Sequence, residues 1–524
     1  MPASKPLPSP DGQAIDPPAG RSRRSSDDRA PAKPTDGALE AGFVPFGAGD
    51  HTRATAIVDD AVIDRLIAEC LSRPRAWAAL GELCDGLGGR VSGTASGAAG
   101  EEWGLGRFRE WGFDSADFEP LRVPVWERGA LRAEVIVPAA WSLTAVAHGF
   151  APIAVDLQAE LVDLGFAEAE DFVRVGAGVQ GRLVLCDEGV RPGRRALHRS
   201  EKLGLAAAHG AAGLLILSSA AGGLARTGVC HADLAPIPSL GISREDGLRL
   251  RRLAAAPNAI PPTLRIHMRN RYGSGQARNV LAELPGRDPD AGLVLAGAHL
   301  DSWDLAQGAT DNGLGAAIVL EMARALAALP ASLRPRRRMR FALWAAEETG
   351  LRGSKAYVAA HAGELGHHAA VMNFDMTGDP YGYWAPGRAD ATTLLVWLAH
   401  RLAPLGMRQD LRHEAGLHSD HQPFMLAGVP VVALLGELGE QGGRYYHSVG
   451  DTFEKVSLPA LCRAAAVGAI TLWALADADD ALALPHFGAA EVRGMIDAAD
   501  LTEALRAEGY DGPPMQIDPT GVSR

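Results

Sequence analysis

The sequence predicts an α/β fold with a mixed, largely parallel central sheet flanked by helices, and two observations carry that reading. From Arg278 onward, apolar runs of strand length alternate regularly with longer runs of helical period, as expected when strands are linked through helices. The runs leading into His299, Glu347-Glu348 and Asp375 each deliver polar residues just past a strand end. Open α/β sheets build their sites at these carboxyl ends.

At 524 residues the chain is too long for one hydrophobic core, so more than one domain is expected. Its 51 basic and 63 acidic residues leave a net charge of −12, which argues against nucleic acid or an anionic membrane as a partner. Cys70, Cys84, Cys186, Cys230 and Cys462 are scattered and form no CxxC. That spacing excludes a disulfide scaffold and a cysteine-ligated zinc finger.

Residues 1–46 are rich in proline and poor in large apolar side chains, the composition of a disordered leader. No apolar run follows the first charges, so no signal peptide is visible and the cytoplasm is the default compartment. Ala61 to Leu87 has helical period, and Pro74 divides it into two helices. Strand-like runs follow at Phe118–Val125 and Ala133–Val137. Between Val155 and Met268 the texture changes to short strands around one Ala-rich helix, marking a compact β-rich insert over residues 151–269. The main unit then comprises 47–150 and 270–480, with 481–524 as a C-terminal extension. Within it the helices Gly313–Leu329, Ser354–Ala360, Thr392–Leu402 and Pro459–Ala476 are expected. The strands are Val280–Leu284, Gly292–His299, Met339–Ala345, Ala370–Phe374 and Pro430–Leu435.

Several weaker signals are set aside. The uncharged stretch Leu203–Ala225 is broken by glycines, and Ala464–Ala476 falls short of the roughly 20 residues a membrane span needs, so a soluble protein is expected. Gly176-Ala-Gly-Val-Gln-Gly181 matches GxGxxG, but a strand follows where a dinucleotide site requires a helix. The basic run Arg334–Arg340 reads as a solvated lead-in to a strand. HxD occurs at His231, His299 and His418, too often among 16 histidines and 63 acids to carry weight alone.

Context singles out His299. Residues i and i+2 of a strand share a face, so Asp301 is expected behind the His299 ring, where a carboxylate fixes the tautomer of a metal-bound imidazole. Asp311 precedes the helix from Gly313, Glu347-Glu348 and Asp375 close the next two strands, and His447 lies in the loop before the last long helix. If Asp311 bridges, one metal receives His299, Asp311 and Asp375, and a second receives Asp311, Glu348 and His447. A shared water or hydroxide completes each set, the open geometry of catalytic zinc. Nitrogen and oxygen donors without thiolate suit two Zn²⁺, which Co²⁺ or Mn²⁺ could replace. Glu347, next to a ligand but outside the set, is placed as the general base.

Ala298-His-Leu-Asp-Ser-Trp-Asp-Leu-Ala-Gln-Gly-Ala-Thr-Asp-Asn-Gly313 closely resembles the metal-binding signature of the carboxypeptidase Q-like branch of the co-catalytic di-zinc aminopeptidases. Leu343-Trp-Ala-Ala-Glu-Glu348, Tyr446-His-Ser-Val-Gly-Asp-Thr452, Gly89-Arg-Val-Ser-Gly93 and Val125-Trp-Glu-Arg-Gly129 are similar to further motifs of that family, and the insert is similar to a protease-associated domain. The resemblance implies a zinc exopeptidase fold and a homodimer acting on small peptides, notably dipeptides with free termini. It also implies export in many relatives. By the same resemblance Tyr446 helps stabilise the tetrahedral intermediate, Asp420 lies beside the site and His421 is structural. Asn312 departs from the pattern, because an acid usually follows the bridging aspartate. The alternatives are an aminopeptidase on longer peptides, an amide hydrolase or cyclotransferase on the same scaffold, and a non-catalytic binding protein. The last would have lost ligands, and here all are present.

Overall fold

The protein is described by a computed structural model over residues 58–256, 260–479 and 482–510. The leader expected at 1–46 and the last part of the C-terminal extension, 511–524, lie outside the described residues. Two eight-stranded sheets organise the rest.

In the first sheet the strand order is Asp117–Glu127, Arg271–Leu284, Arg338–Trp344, Leu293–His299, His368–Asn373, Val431–Glu437, Asp379–Trp384 and Asp410–Arg412. The four strands from Arg338–Trp344 to Val431–Glu437 run parallel, and antiparallel pairs flank them on either side. Leu293–His299 is buried at every position, as a strand covered on both faces must be. Its side chains alternate between two cores. Val294, Ala296 and Ala298 point to the side packed by the helices Leu314–Ala327 and Leu458–Asp477. Leu293 and Leu295 face a second core with Trp344, Tyr357 and Phe424.

The last long helix differs from its expected form. It spans 20 residues and by length and composition alone could cross a bilayer, yet 83% of its most apolar window is buried within the protein. Its apolarity serves packing against Leu314–Ala327. The C-terminal extension also packs: Val492, Ile496, Leu505 and Tyr510 join the core around Trp344. The strands Asp379–Trp384 and, at the sheet edge, Asp410–Arg412 were not visible in the sequence: Pro380 and Gly382 interrupt the first, and the second is only three residues long.

The second sheet belongs to the insert, and its strand order is Trp141–Ser142, Leu131–Val137, Thr263–Arg269, Ala154–Asp163, Leu183–Asp187, Gly213–Leu217, Ser239–Ile242 and Ala145–Ala147. Leu131–Val137 pairs antiparallel with Thr263–Arg269, so this sheet begins near residue 131 rather than at 151. The pairing partner lies more than a hundred residues away, which local pattern cannot reveal. Three helices accompany the sheet, Ala169–Val175, Arg199–Ala208 and Arg244–Ala254, where the sequence indicated one. Arg244–Ala254 buries only Gly247 and Leu250, and its many charged residues leave a narrow apolar face that an apolar-run search passes over. Gly176–Val179 forms a short 3-10 turn and starts no dinucleotide-type helix.

Candidate metal centre

Strand ends and two loops converge on one point. His299 is the last residue of its strand, Glu347 and Glu348 follow Arg338–Trp344, and Asp375 follows His368–Asn373. Asp311, joined to Asn312 by a cis peptide, sits in the turn Ala309–Gly313 that leads into Leu314–Ala327. His447 comes from the loop after the helix Gly439–Tyr445.

The two oxygens of Asp311 face opposite ways. Oδ1 lies 3.3 Å from His299 Nε2 and Oδ2 lies 3.0 Å from His447 Nε2. His299 Nε2 is also 3.4 Å from Asp375 Oδ1, and His447 Nε2 is 3.0 Å from Glu348 Oε2. Asp311, Glu348 and His447 therefore form one compact donor set, and His299 with Asp375 and Glu347 forms another. Zinc bonds of about 2.0 Å to tetrahedral ligands imply ligand–ligand edges of roughly 3.3 Å, which these separations match. His299 Nε2 and Glu348 Oε1 are buried without a hydrogen-bond partner, an arrangement that is costly unless something else satisfies them. The donor set fits zinc. Glu347 Oε2 is 3.9 Å from His299 Nε2, close to the centre but outside its tightest contacts.

The electrostatics match a site built for cations. Burial would lower His299, but Glu347, Asp375 and Asp311 around it hold it well above the ordinary histidine value. His447 likewise rises to about 9, as Glu348 and Asp311 outweigh its burial. Burial drives Glu347 far up and Glu348 to about 7, with neighbouring carboxylates adding to both. So many buried acids in one place leave a negative excess that divalent cations would neutralise.

A surrounding layer fixes these groups. Asp301 is placed differently from the expectation that its carboxylate meets the His299 ring. His299 Nδ1 donates to the Asp301 main-chain carbonyl at 3.0 Å, while the carboxylate stays 3.8 Å away. The strand ends at His299, so strand alternation no longer governs residue 301. The Asp301 carboxylate instead accepts the main-chain N–H groups of Glu347 at 3.0 Å and Glu348 at 3.3 Å. It positions the acid pair. Asp451, buried, accepts from the N–H groups of Thr310 at 2.7 Å and Asp311 at 3.1 Å. Ser419 Oγ donates to Asp375 Oδ2 at 2.6 Å and accepts from Asn373 Nδ2 at 2.7 Å.

Asn312 uses both ends of its amide. Nδ2 donates to the Phe374 carbonyl at 2.9 Å, and Oδ1 accepts from Gly315 N at 3.0 Å and Met376 N at 3.2 Å. An aspartate could make only the two acceptor contacts. Asp420 is fully buried next to the centre, and burial raises its carboxyl to about 7. His421 donates to the Gly416 carbonyl and meets Trp384 edge-on, a packing role. Ala346, Met376 and His447 all have left-handed backbones (φ 57, 49 and 53), uncommon for residues other than glycine and found here at or beside the candidate ligands.

Sequence reading missed the Gly89–Gly93 segment as a clamp. Arg90 is wholly buried and donates to the carbonyls of Leu300, Gly88, Gln307 and Gly308. Ser92 Oγ accepts from Ala346 N at 2.8 Å. It also missed Arg199, which opens a helix of the insert. Arg199 Nη2 reaches the Tyr446 hydroxyl at 3.4 Å, and no carboxylate pairs with it among the described residues. The Tyr446 ring stacks on His447 with centroids 3.6 Å apart, and burial keeps its hydroxyl protonated far into the alkaline range. A narrow cleft lined by Trp303, Leu305, Gly308, Asp311, Glu348 and His447 opens on the centre. The roomier groove along the helix Ala489–Ala498 contains none of these groups.

The comparisons agree with this geometry. Residues 279–471 match the model of peptidase family M28, and residues 157–250 match that of the PA domain. Bovine (Bos taurus) carboxypeptidase Q is 30% identical over 418 residues, which cover 78% of this chain and 86% of that protein. The crystal structure of a peptidase M28 precursor from Shewanella amazonensis superimposes with a TM-score of 0.72 at 27% identity, covering 82% of this chain and 98% of that one. A zinc aminopeptidase from Bacillus subtilis shares the fold, with a TM-score of 0.57 at 23% identity over 78% of this chain and 98% of its own. The chain belongs to peptidase family M28, as a carboxypeptidase Q-like, zinc-dependent metallopeptidase with an inserted PA domain.

Proposed function

We propose that this exopeptidase cleaves short peptides, foremost dipeptides with both termini free, at a centre of two zinc ions. His299, Asp311 and Asp375 would hold one ion, and Asp311, Glu348 and His447 the other. Bound zinc supplies Lewis-acid polarisation of the scissile carbonyl and makes water more acidic. Glu347 takes a proton from the attacking water and returns it to the amine nitrogen as the C–N bond breaks. Asp301 keeps Glu347 in place through the main-chain bond described above. The protonated Tyr446 hydroxyl is available as a donor to the carbonyl oxygen as it gains charge.

Arg199 carries the substrate class. A guanidinium near the centre with no acid partner among the described residues is suited to a peptide's C-terminal carboxylate. The excess of carboxylates at the centre suits a free α-ammonium.

The test is hydrolysis of one dipeptide in free, C-amidated and N-acetylated forms, with chelator and after zinc restoration. The free form should be cleaved best, chelator should abolish turnover, and zinc should restore it. Arg199→Met should raise KM for the free dipeptide about 10–100-fold, the worth of a charge-assisted hydrogen bond, and leave the amidated form unaffected. Equal cleavage of amidated or longer peptides by the native enzyme would favour the aminopeptidase reading instead.

A further inference from the structure

We infer that the PA insert is part of the metal site: its Arg226–Thr227 segment orients His447 and thereby sets how tightly the Asp311–Glu348–His447 group holds zinc. This rests on the ligand assignment proposed above.

His447 differs from the other proposed ligands in how it is supported. His299, Glu348 and Asp375 sit on or just past strands of the central sheet, and Asp311 leads into a buried helix. His447 stands in a loop, and its firmest partners come from the insert. Thr227 N donates to the His447 carbonyl at 2.8 Å. In return His447 Nδ1 donates to the Thr227 carbonyl at 3.2 Å. These reciprocal bonds fix both the chain and the ring.

The second bond also fixes the tautomer. With Nδ1 carrying the proton, Nε2 presents its lone pair toward Asp311 and Glu348, each 3.0 Å away. Arg199 Nη2 lies 3.4 Å from the same Nδ1. A guanidinium only donates and would favour the opposite tautomer, but the Thr227 carbonyl is the nearer partner, at 3.2 Å, and favours the proton on Nδ1.

Thr227 is itself held. Its Oγ1 donates to the Ala147 carbonyl at 3.0 Å and accepts from Arg128 Nη2 at 3.0 Å. Arg226 Nη2 donates to the carbonyls of Gly443 at 2.9 Å and Arg444 at 3.0 Å, at the end of the helix that leads into His447. Arg444 Nη2 answers with a bond to the Ala221 carbonyl of the insert at 2.9 Å. His299 has no such dependence, because the carbonyl that orients it belongs to Asp301 in its own loop. Of the five proposed ligands, His447 is the one whose orientation depends on the insert; Asp311 and Glu348 beside it are held by Asp451 and Asp301 of the catalytic unit.

The experiment follows zinc release from the full-length, zinc-loaded protein to a chromogenic chelator. His447→Ala should lose one of two zincs and so identify the phase belonging to that ion. Arg226→Ala and Thr227→Val leave the Thr227 carbonyl in the chain but remove what holds it in place, so they should speed that phase by roughly 10-fold, the low end of what losing a partner behind a metal ligand does, and leave the other phase unchanged. Thr227→Ser, which keeps the hydroxyl, should release zinc like the native protein. If Arg226→Ala does not fold, the Thr227→Val and Thr227→Ser pair decides. Native release rates in Thr227→Val, or equal acceleration of both phases, would overturn the inference. A native chain holding fewer than two zincs, or His447→Ala keeping both, would instead overturn the ligand assignment.

Discussion

Replacing Arg90 with lysine keeps a positive charge but removes a fork that ties two loops beside the candidate metal centre together. Arg90 Nε donates to Leu300 O at 2.8 Å, Nη1 to Gly88 O at 2.8 Å and Gln307 O at 2.6 Å, and Nη2 to Gly308 O at 2.9 Å. An ammonium is a compact point donor and cannot span carbonyls spread around a planar fork. At least two would be left without their donor. Hydrogen bonds to charged groups contribute roughly 1.5–3 kcal/mol each, and stranding a buried acceptor costs about 1–3 kcal/mol. These overlap, so the net cost is about 4 kcal/mol. Unfolding entropy is on the order of 1 kcal/mol/K for a chain of this length, which makes the expected drop in melting temperature about 4 °C. Gly313 N closes the following turn onto the Gly308 carbonyl at 2.9 Å, so Asp311 should shift as well. Turnover of a dipeptide should therefore fall by more than stability alone explains. The assay is thermal unfolding with and without zinc, alongside kcat. A melting temperature within 1 °C of the native value together with an unchanged kcat would refute the clamp.

Three further outcomes follow from particular contacts. A Cβ at Gly315 would stand 2.2 Å from the Phe374 carbonyl and 2.3 Å from Asn312 Oδ1, so Gly315→Ala should cost about 1–3 kcal/mol and lower zinc content, measured by melting and metal analysis. Ser419→Ala removes the 2.6 Å bond to Asp375 and should weaken one zinc about 10–100-fold, read by competition with a chelator; unchanged affinity would deny Ser419 that role. Burial lowers His368 from 6.5 to about 4, so the unfolded chain takes up its proton first. The stability present above pH 6.5 is then lost as pH falls toward 4, by on the order of 3 kcal/mol. His368→Phe should flatten that part of the melting-temperature profile.

What the sequence made legible was local. His299, Glu347, Glu348 and Asp375 were readable because strand ends announce themselves in an apolar run. Asp311 was readable from its place ahead of a long apolar helix. The supporting layer was not, because its partners are far apart in the chain. Asp451 holds the 310–311 backbone, Arg90 holds residues 300–308, and Thr227 holds His447, with no pattern linking the members of each pair. Asp301 was named correctly as a neighbour but given the wrong partner, since strand alternation was extended past the end of the strand. The strand at Ala133–Val137 was readable, but its membership of the insert's sheet was not, because its partner Thr263–Arg269 is far away in the chain.

Glu347→Gln, with zinc counted in the same sample, tests the central claim most directly. Glutamine keeps the size of the side chain and removes the site's proton acceptor, and Glu347 is not needed to complete either proposed ligand set. The variant should retain two zincs per chain and lose dipeptide hydrolysis by at least the factor of about 10²–10⁴ that general acid–base catalysis contributes. Substantial hydrolysis in a fully zinc-loaded Glu347→Gln protein would contradict the account.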